Sequence, residues 1–390
     1  MITRQARRIA RPLSFAALAT AFALLAGCER PQGMESSQNG YRGTAMGQVT
    51  NPRVVGPVAA AQTLPEPVAA IPAVPGSPLA KDVYKNVQVL GELPAGEFTR
   101  TMLAITAWVA PKEGCNYCHA PGADLSEDKL YTKVVARKML AMNRQINTSW
   151  GAHVGQTGVT CYTCHRGQAV PAQVWFTQPE PRQAGGVAAD SGGQNRVSLA
   201  AGTTSLGIDP LTPYLLKDTP IRSNGTQALP HGLPGNIRAT EGTFGLMFHM
   251  SQSLGVNCTY CHNTRAMAEW SESPPQHTTA WHGIRMARAL NNEHMVPLTG
   301  VFPAERKGPL GDVAKVGCAT CHQGLNKPLK GAPMAKDHAE ALSFQPAKPM
   351  AATPGASAPS TGQAAGKSAT AGMLGHTLAA ARSGEATVSR

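Results

Sequence analysis

The chain has 390 residues and a formal net charge of +12, with only 15% charged and 5% aromatic residues. It contains 40 Gly and 31 Pro, so it is rich in loops and poor in large side chains for a core of this length. Beyond the N-terminus, no apolar run approaches the about 20 residues of a membrane-spanning helix, which excludes a polytopic membrane protein. The composition predicts that parts of the chain do not pack and that something other than side chains fills part of the interior.

The N-terminus has the pattern of an export signal. Four Arg residues precede a short apolar stretch, Leu13–Ala26, which is too short to span a bilayer comfortably. The following Leu-Ala-Gly-Cys28 resembles a bacterial lipoprotein box, in which the Cys becomes the new N-terminus and carries the lipid. We expect residues 1–27 to be removed and Cys28 to be lipidated, because a lone thiol is unusual in an oxidising compartment. The alternative is an ordinary signal peptide with an incidental Cys.

The next segment, residues 28–80, contains eight prolines separated by small and apolar residues. Such a composition favours an extended, partly polyproline-like chain. We therefore predict a lipid-anchored tether between Cys28 and the folded body.

Eight of the nine cysteines fall in four C-x-x-C-H motifs. The motifs are Cys115–His119, Cys161–His165, Cys258–His262 and Cys318–His322, and their second cysteines are Cys118, Cys164, Cys261 and Cys321. This pattern is the attachment site of a c-type haem. The two thiols form thioethers to the haem vinyl groups, and the adjacent His supplies the proximal nitrogen to iron. The sequence thus predicts four covalently bound haem c groups.

Other cysteine chemistries fit this pattern poorly. A thiol redox pair does not need a His after every second Cys, and one redox protein rarely carries four such pairs. Zinc knuckles would leave gaps of 42 and 56 residues within the two pairs of motifs, far more than zinc fingers have. Structural disulfides would leave the four His unexplained.

The basic composition does not indicate a nucleic-acid partner. Residues 1–27 hold four Arg and no acidic residue, so their removal lowers the formal charge from +12 to +8. The two propionates of each of four haems would then offset this charge. No motif for nucleic-acid recognition is present.

The motifs divide the rest of the chain into two similar parts. Residues 81–177 hold the first pair of motifs and residues 241–344 hold the second, while residues 178–240 connect them without a motif. Residues 345–390 form an Ala/Gly/Ser/Pro tail without aromatic residues, which we expect to be disordered. The paired motifs indicate an internal repeat. The expected fold is mainly α with long irregular loops, a multihaem cytochrome c with two pseudo-repeated haem-pair halves.

A helical pattern precedes each motif. Apolar residues recur every three or four positions in residues 98–110, 130–146, 243–254 and 280–290. Each predicted helix leads through a turn into a C-x-x-C-H segment, so that it can lie against the haem plane. Each helix also carries a Met on its apolar face, and these residues are Met102, Met139, Met247 and Met286.

The sixth ligand of each iron is either a Met sulfur or a second His nitrogen. Spacing alone assigns the four helix Met residues to the four haems, although each of them is also a possible core filler. Met142 and Met250 lie about one turn further and are rivals. His153, eight residues before Cys161, is able to reach another haem, and its ordinary interpretation is a solvated loop residue.

These features together resemble the tetrahaem cytochrome subunit of purple-bacterial photosynthetic reaction centres. The resemblance covers residues 80–330 and includes the lipoprotein box, the paired motifs, the Met-bearing helices and Gly-Ala-His153-Val-Gly before Cys161. It implies Met/His ligation for three haems, by Met102 with His119, Met139 with His165, and Met247 with His262. For the fourth haem it implies two His ligands, His153 and His322, and it makes Met286 a core residue. The tether and the tail are not part of the common body of that family.

The resemblance also implies a function. The chain would be a four-haem relay that re-reduces the photo-oxidised bacteriochlorophyll special pair. Its electrons would come from a soluble periplasmic donor, either a c-type cytochrome or a high-potential iron–sulfur protein. Its partners would be the reaction-centre membrane subunits, and it would lie lipid-anchored on the periplasmic face of the inner photosynthetic membrane. In that family the third haem lies nearest the special pair, followed by the fourth, second and first.

Closed coordination at every iron leaves no position for a substrate, so we expect an electron-transfer protein without catalytic residues. Two alternatives come from other classes of protein. A multihaem reductase would need an open or Lys-ligated haem, which carbon monoxide binding would reveal. A membrane quinol dehydrogenase would need an uncut N-terminal span and mostly bis-His haems.

Overall fold

The computed structural model describes residues 33–38, 46–72, 74–179, 209–221, 237–267 and 269–345. The strands are β1 (Glu35–Gln38) and β2 (Gly47–Thr50), and the helices are α1 (Pro52–Ala61), α2 (Ala80–Val83), α3 (Ala95–Val109), α4 (Tyr131–Ser149), α5 (Gly151–Val154), α6 (Cys161–His165), α7 (Ile237–Leu254), α8 (Pro275–Leu290) and α9 (Cys318–His322). Shorter 3-10 or π turns are Gly114–Tyr117, Thr212–Leu216, Cys258–Tyr260, Trp270–Glu272, Asn291–Met295, Val296–Gly300, Ala304–Arg306, Pro328–Gly331 and Met334–His338. The prediction of a mainly helical chain with long loops is confirmed.

Little sheet accompanies these helices. Strands β1 and β2 pair antiparallel, with Glu35 opposite Thr50 and Gln38 opposite Gly47. Among the described residues, no helix combines the length and the apolar character needed to cross a bilayer.

Each of the four helices predicted from periodicity is present, as α3, α4, α7 and α8. Helices α7 and α8 begin several residues before the predicted segments. Helix α8 starts at Pro275, whose fixed φ suits the first helical position, and its first turn is polar. The apolar pattern therefore indicates only the C-terminal part of α8, whose side chains are buried in the core.

The core consists of several apolar clusters that lie between these helices. One contains Ile146 of α4, Met286 and Leu290 of α8, and Val316 before the fourth motif. Both predicted haem-pair halves contribute to it, and the described residues fall in one compact unit. The halves therefore share a core and are not separate domains.

Part of the connecting segment also belongs to the core. Asp209 accepts hydrogen bonds from the backbone N–H groups of Leu211 (3.2 Å) and Thr212 (2.9 Å) and so starts the turn Thr212–Leu216. Leu211 and Leu215 are completely buried against residues of α7 and α8. The sequence interpretation of residues 178–240 as a plain connection missed this turn, because its apolar residues span only positions 211–216 inside a polar segment, too short a stretch to establish a helical period.

The tether predicted for residues 28–80 is not extended throughout. Asn51 accepts a hydrogen bond from Arg53 N at 3.1 Å and Pro52 occupies the first helical position, so α1 forms. Gln62 follows α1 and is only 6% exposed, and its amide donates to the carbonyls of His322 and Gln323 at 3.1 Å. The chain is thus attached to the body by residue 62. Residues 62–72 then run without helix or strand, as their composition predicts. The predicted signal peptide, Cys28 and residues 346–390 of the predicted tail lie outside the described residues.

A buried polar cluster ties the Pro-rich segment to α3. Arg100 donates to the carbonyls of Val68 (3.1 Å) and Ala69 (2.9 Å), and it pairs with Glu97 at 2.9 Å. His338 is 5% exposed, and its ring lies edge-on to Trp108 with centroids 4.9 Å apart. Burial, followed by the charge of Arg100, lowers the pKa of His338 to about 4.

His338 makes the stability of the fold depend on pH. Between its folded pKa of about 4 and the ordinary His value of ~6.5, the unfolded chain binds a proton that the folded chain does not. The free energy of unfolding should therefore fall as the pH is lowered from 6.5 to 4, by at most roughly 3 kcal/mol for this group. We expect His338→Gln to reduce that slope when denaturant unfolding is measured across this range. Equal slopes in the two proteins would contradict the prediction.

Candidate haem-binding site

The four C-x-x-C-H segments adopt two local structures in alternation. The second and fourth motifs are the helices α6 and α9. In each, a Thr hydroxyl accepts a hydrogen bond from the backbone N–H of the residue before the first Cys. Thr163 accepts from Thr160 N (3.0 Å) and Thr320 accepts from Gly317 N (2.9 Å). The first and third motifs are single turns, closed by hydrogen bonds from His119 N to Cys115 O (2.9 Å) and from His262 N to Cys258 O (3.0 Å).

The surroundings of α6 and α9 repeat in the same way. Helices α3 and α4 contact α6, and α7 and α8 contact α9. The glycine after each motif donates to the last turn of a preceding helix, from Gly167 N to Trp108 O (2.9 Å) and from Gly324 N to Ser253 O (2.8 Å). Since Met102 and Met247 each lie six residues before these acceptors, the two Met residues occupy equivalent helical positions.

The second and fourth motifs face each other. Arg166 donates to Cys321 O at 3.2 Å and Gln323 donates to Cys164 O at 3.3 Å, a reciprocal pair of contacts. The sulfur atoms of Cys164 and Cys321 are 2.8 Å apart and are not joined in a disulfide. Gln62 accepts from Arg166 and donates to the fourth motif, so it bridges the two.

Three of the motif thiols have the wrong acidity for a redox pair, whereas in the facing pair the hydrogen bond between the sulfur atoms raises the pKa of Cys164 and lowers that of Cys321. Burial raises the pKa of Cys161 and of Cys318 to about 12, and that of Cys261 to about 11. Disulfide exchange requires a thiolate, so these cysteines are poor redox nucleophiles. This agrees with a role in attachment.

The imidazoles are oriented by backbone carbonyls. The Nδ1 atoms of His119, His153, His165 and His322 lie 2.9 Å from the carbonyls of Leu125, Thr279, Gln168 and Leu325, respectively. Metal-binding His residues commonly donate one ring N–H in this way, which leaves the other nitrogen for the metal. At the third motif, His262 Nδ1 is buried without a hydrogen bond, and its ring lies 4.5 Å from that of His277.

The carbonyl that orients His119 is itself held by α4. Lys133, 8% exposed, donates to Leu125 O at 2.8 Å and pairs with Asp128 at 3.1 Å. Arg137 clamps both oxygens of Asp128 at 2.8 Å, and these contacts lower the pKa of that carboxyl. The loop after the first motif is therefore fixed in place.

The predicted Met ligands lie on the helices as the periodicity requires. Met102, Met139 and Met247 are half-buried on α3, α4 and α7. Met286 is 8% exposed within the shared cluster of α4 and α8, while Met139 and Met142 pack against the edge of that cluster.

His153 and His322 are brought together from distant parts of the chain. Their ring centroids are 5.9 Å apart with an angle of 73° between the planes. Two imidazoles on opposite sides of one metal ion, with metal–nitrogen bonds of about 2 Å, have centroids about 6 Å apart. Burial lowers the pKa of His153. The pKa of His322 is lowered to about 4 by burial and by the neighbouring ring of His153. Both rings are therefore neutral near pH 7, the form that binds metal.

Comparison with known proteins agrees with this arrangement. Residues 29–342 match the family described as the photosynthetic reaction centre cytochrome C subunit. The chain belongs to this family. It is 52% identical over 323 residues to the photosynthetic reaction center cytochrome c subunit of Rubrivivax gelatinosus, covering 82% of this chain and 86% of that protein. Identity is 49% with the subunit of Thermochromatium tepidum, over 83% of this chain and 78% of the other, and 42% with that of Roseobacter denitrificans, over 77% and 84%.

The predicted family is thus confirmed. As a reaction-centre cytochrome subunit, the chain is an electron carrier of photosynthesis with covalently bound haem c, and it partners the reaction-centre membrane subunits. The residues present fit that group. Each motif supplies two thiols and an imidazole, and each of the four helices that precede the motifs exposes at least one large apolar side chain. These side chains are Leu103 on α3, Val134 on α4, Phe244 and Phe248 on α7, and Trp281 on α8.

Two asparagines of the cytochrome subunit fix the register of α4 and α8 against the motifs. Asn147 donates to Val159 O (3.0 Å) and accepts from Val159 N (2.7 Å). Asn291 makes the same pair with Val316, at 3.0 and 2.8 Å. Val159 and Val316 each lie two residues before the first Cys of a motif. Sequence reasoning missed both residues, although a polar residue in line with the apolar face at the C-terminal end of each helix was a signal that could have found them.

Removing one of these amides should destabilise the cytochrome subunit. Asn291 is fully buried, so Asn291→Ala would take away the acceptor of Val316 N–H and the donor to Leu215 O. Val316 O would keep its bond from Trp175 Nε1. We expect a loss of about 1–3 kcal/mol in the free energy of unfolding.

The adjacent Asn292 donates to Leu216 O and Arg288 O at the exposed surface, where water is able to replace its amide. Asn292→Ala is therefore the control for burial and should cost less, about 0.5 kcal/mol or below. Denaturant unfolding of the haem-loaded protein measures both, and equal effects would refute the buried-amide role.

Proposed function

We propose that this chain is a four-haem electron relay that re-reduces the photo-oxidised bacteriochlorophyll special pair. The observation that carries the proposal is the pairing of His153 with His322 across 5.9 Å, within a chain of this family. When bound, haem c supplies a one-electron iron couple whose potential the axial ligands tune over a range of about 0.8 V. The donor is a soluble periplasmic protein, either a c-type cytochrome or a high-potential iron–sulfur protein.

The chain holds each group through one motif and one further ligand. The proposed axial pairs are Met102 with His119, Met139 with His165, Met247 with His262, and His153 with His322. The equivalent positions of Met102 and Met247 favour Met247 over Met250. The carbonyl contacts of four of these His rings hold the tautomer and the orientation of each ring.

Two features support a repeat of two haem-pair halves. The motifs alternate in local structure, and the contacts of α6 are repeated around α9. The facing of the second and fourth motifs also supports an order in which these two haems are neighbours. That order agrees with the one implied by the family, in which the third and first haems lie at the two ends.

With the four proposed ligand pairs, bound haem would have no position for a substrate, so the chain would transfer electrons without bond chemistry. Because one site has two His ligands and three have Met, the four potentials should be unequal. The neutral imidazoles of His153 and His322 offer two nitrogen donors without adding charge. We place the chain on the periplasmic face of the inner photosynthetic membrane, next to the membrane subunits and anchored by lipid at Cys28.

A redox titration of isolated membranes combined with flash excitation tests the relay. We expect four haem transitions at unequal potentials, and oxidation of haem within one flash as the special pair is re-reduced. The reduced native protein should not bind carbon monoxide. Fewer than four haems, or haems that stay reduced after the flash, would overturn the proposal. Carbon monoxide binding to one haem would favour the multihaem reductase instead.

Mass spectrometry of the mature N-terminus tests the anchor. We expect the native chain to begin at Cys28 with diacylglycerol attached, because the four residues ending there match a lipoprotein box. Cys28→Ser should abolish the lipid, and the variant Ser36→Ala, in the mature chain, is the matched control and should keep it. A native chain that retains residues 1–27 would contradict lipidation and would favour the quinol dehydrogenase.

A further inference from the structure

The ring of His153 rests on a helical glycine. Gly283 lies in the middle of α8, where glycine is unfavourable relative to alanine. A Cβ atom at position 283 would lie 2.5 Å from Cε1, 2.8 Å from Nδ1 and 3.1 Å from Nε2 of His153. The first two of these distances are below 3.0 Å, closer than a Cβ atom comes to atoms that it is not bonded to, so the observed place of the ring requires a residue without a side chain.

The same helix holds the ring from one turn away. Thr279 lies four residues before Gly283 on α8, and its carbonyl is 2.9 Å from His153 Nδ1. The other face of the site is His322, with its ring centroid 5.9 Å from that of His153. Helix α8 therefore provides both the anchor for the imidazole and the gap into which it fits.

An alignment of α8 with α4 shows which residue of α4 corresponds to Gly283. Asn147 on α4 and Asn291 after α8 make identical amide contacts two residues before a motif. Eight residues before Asn147 is Met139, and eight residues before Asn291 is Gly283. Met286, assigned to the fourth haem on spacing alone, corresponds instead to Met142 and is buried in the core.

We propose that Gly283 is the positioning residue that assigns His153 to the fourth haem. It occupies the place that carries a Met at the second motif, and its missing side chain admits the imidazole from the turn after α4. This inference rests on the proposed ligand set and deepens it. It also favours Met139 over Met142 at the second haem, since Met139 is the residue equivalent to the gap.

The test is Gly283→Ala in the full haem-loaded chain, with Gly300→Ala as control. Gly300 is exposed and a Cβ there meets nothing within 4 Å. We expect Gly283→Ala to keep four covalently bound haems while one of them loses its bis-imidazole signature in magnetic circular dichroism and electron paramagnetic resonance. That haem should also shift its midpoint potential, and the other three should not. The control should match the native protein.

A second pair of variants tests the role of Gly283 if Gly283→Ala does not fold. His153→Ala alone should leave one haem that binds carbon monoxide. Adding Gly283→Met to it should close that haem again with a methionine-type charge-transfer band, because the new side chain would start from the position equivalent to Met139. A haem that remains open in this double variant would overturn the inference.

The outcomes separate this inference from the proposed function. A native protein without any bis-imidazole haem would overturn the ligand set and, with it, the role of Gly283. A native bis-imidazole signal that persists unchanged in Gly283→Ala would overturn the role of Gly283 alone.

Discussion

The contact between α6 and α9 is the constraint around which the described chain is arranged. Each helix is only five residues long and contains little apolar surface, so the pair is held by hydrogen bonds between its ends. Arg166 and Gln323 have φ values of 51° and 48°, in the left-handed region, and each side chain reaches a carbonyl of the opposite motif. Because this contact is symmetric, the helices α3 and α4, which contact α6, have counterparts in α7 and α8, which contact α9.

The symmetry is broken where the first half brings His153 to the second half. The turn that carries His153 follows α4, yet its ring lies against α8 and beside His322. The shared apolar cluster holds α4 against α8, because Ile146 of α4 and Leu290 of α8 are both almost fully buried in it. This packing fixes the position of His153 relative to α8. Neither half would keep its part of this core, or its part of the proposed ligand set, without the other. This explains how a chain with two similar pairs of motifs folds as one unit.

Much of this architecture follows from local sequence. The helices were predictable because their apolar residues repeat every three or four positions, and the attachment sites because three fixed residues define each motif. The contacts of Gln62, the buried turn at Thr212–Leu216 and the place of Gly283 were not predictable in this way. Each depends on a partner more than 60 residues away, as in the bond from Gln62 to His322. A single glycine or glutamine has no period that would reveal such a partner.

In the proposed ligand set, the type of the sixth ligand is therefore not determined by which helix, α4 or α8, precedes the motif. Helices α4 and α8 have equivalent registers, similar amide contacts and similar contacts to their motifs. Eight residues before the buried Asn, α4 carries Met139 and α8 carries Gly283. Thioether and imidazole ligands stabilise the two oxidation states of iron differently. Under the proposed ligand set, a change at this one helical position, with the scaffold kept, would be sufficient to give two neighbouring sites of the relay different potentials.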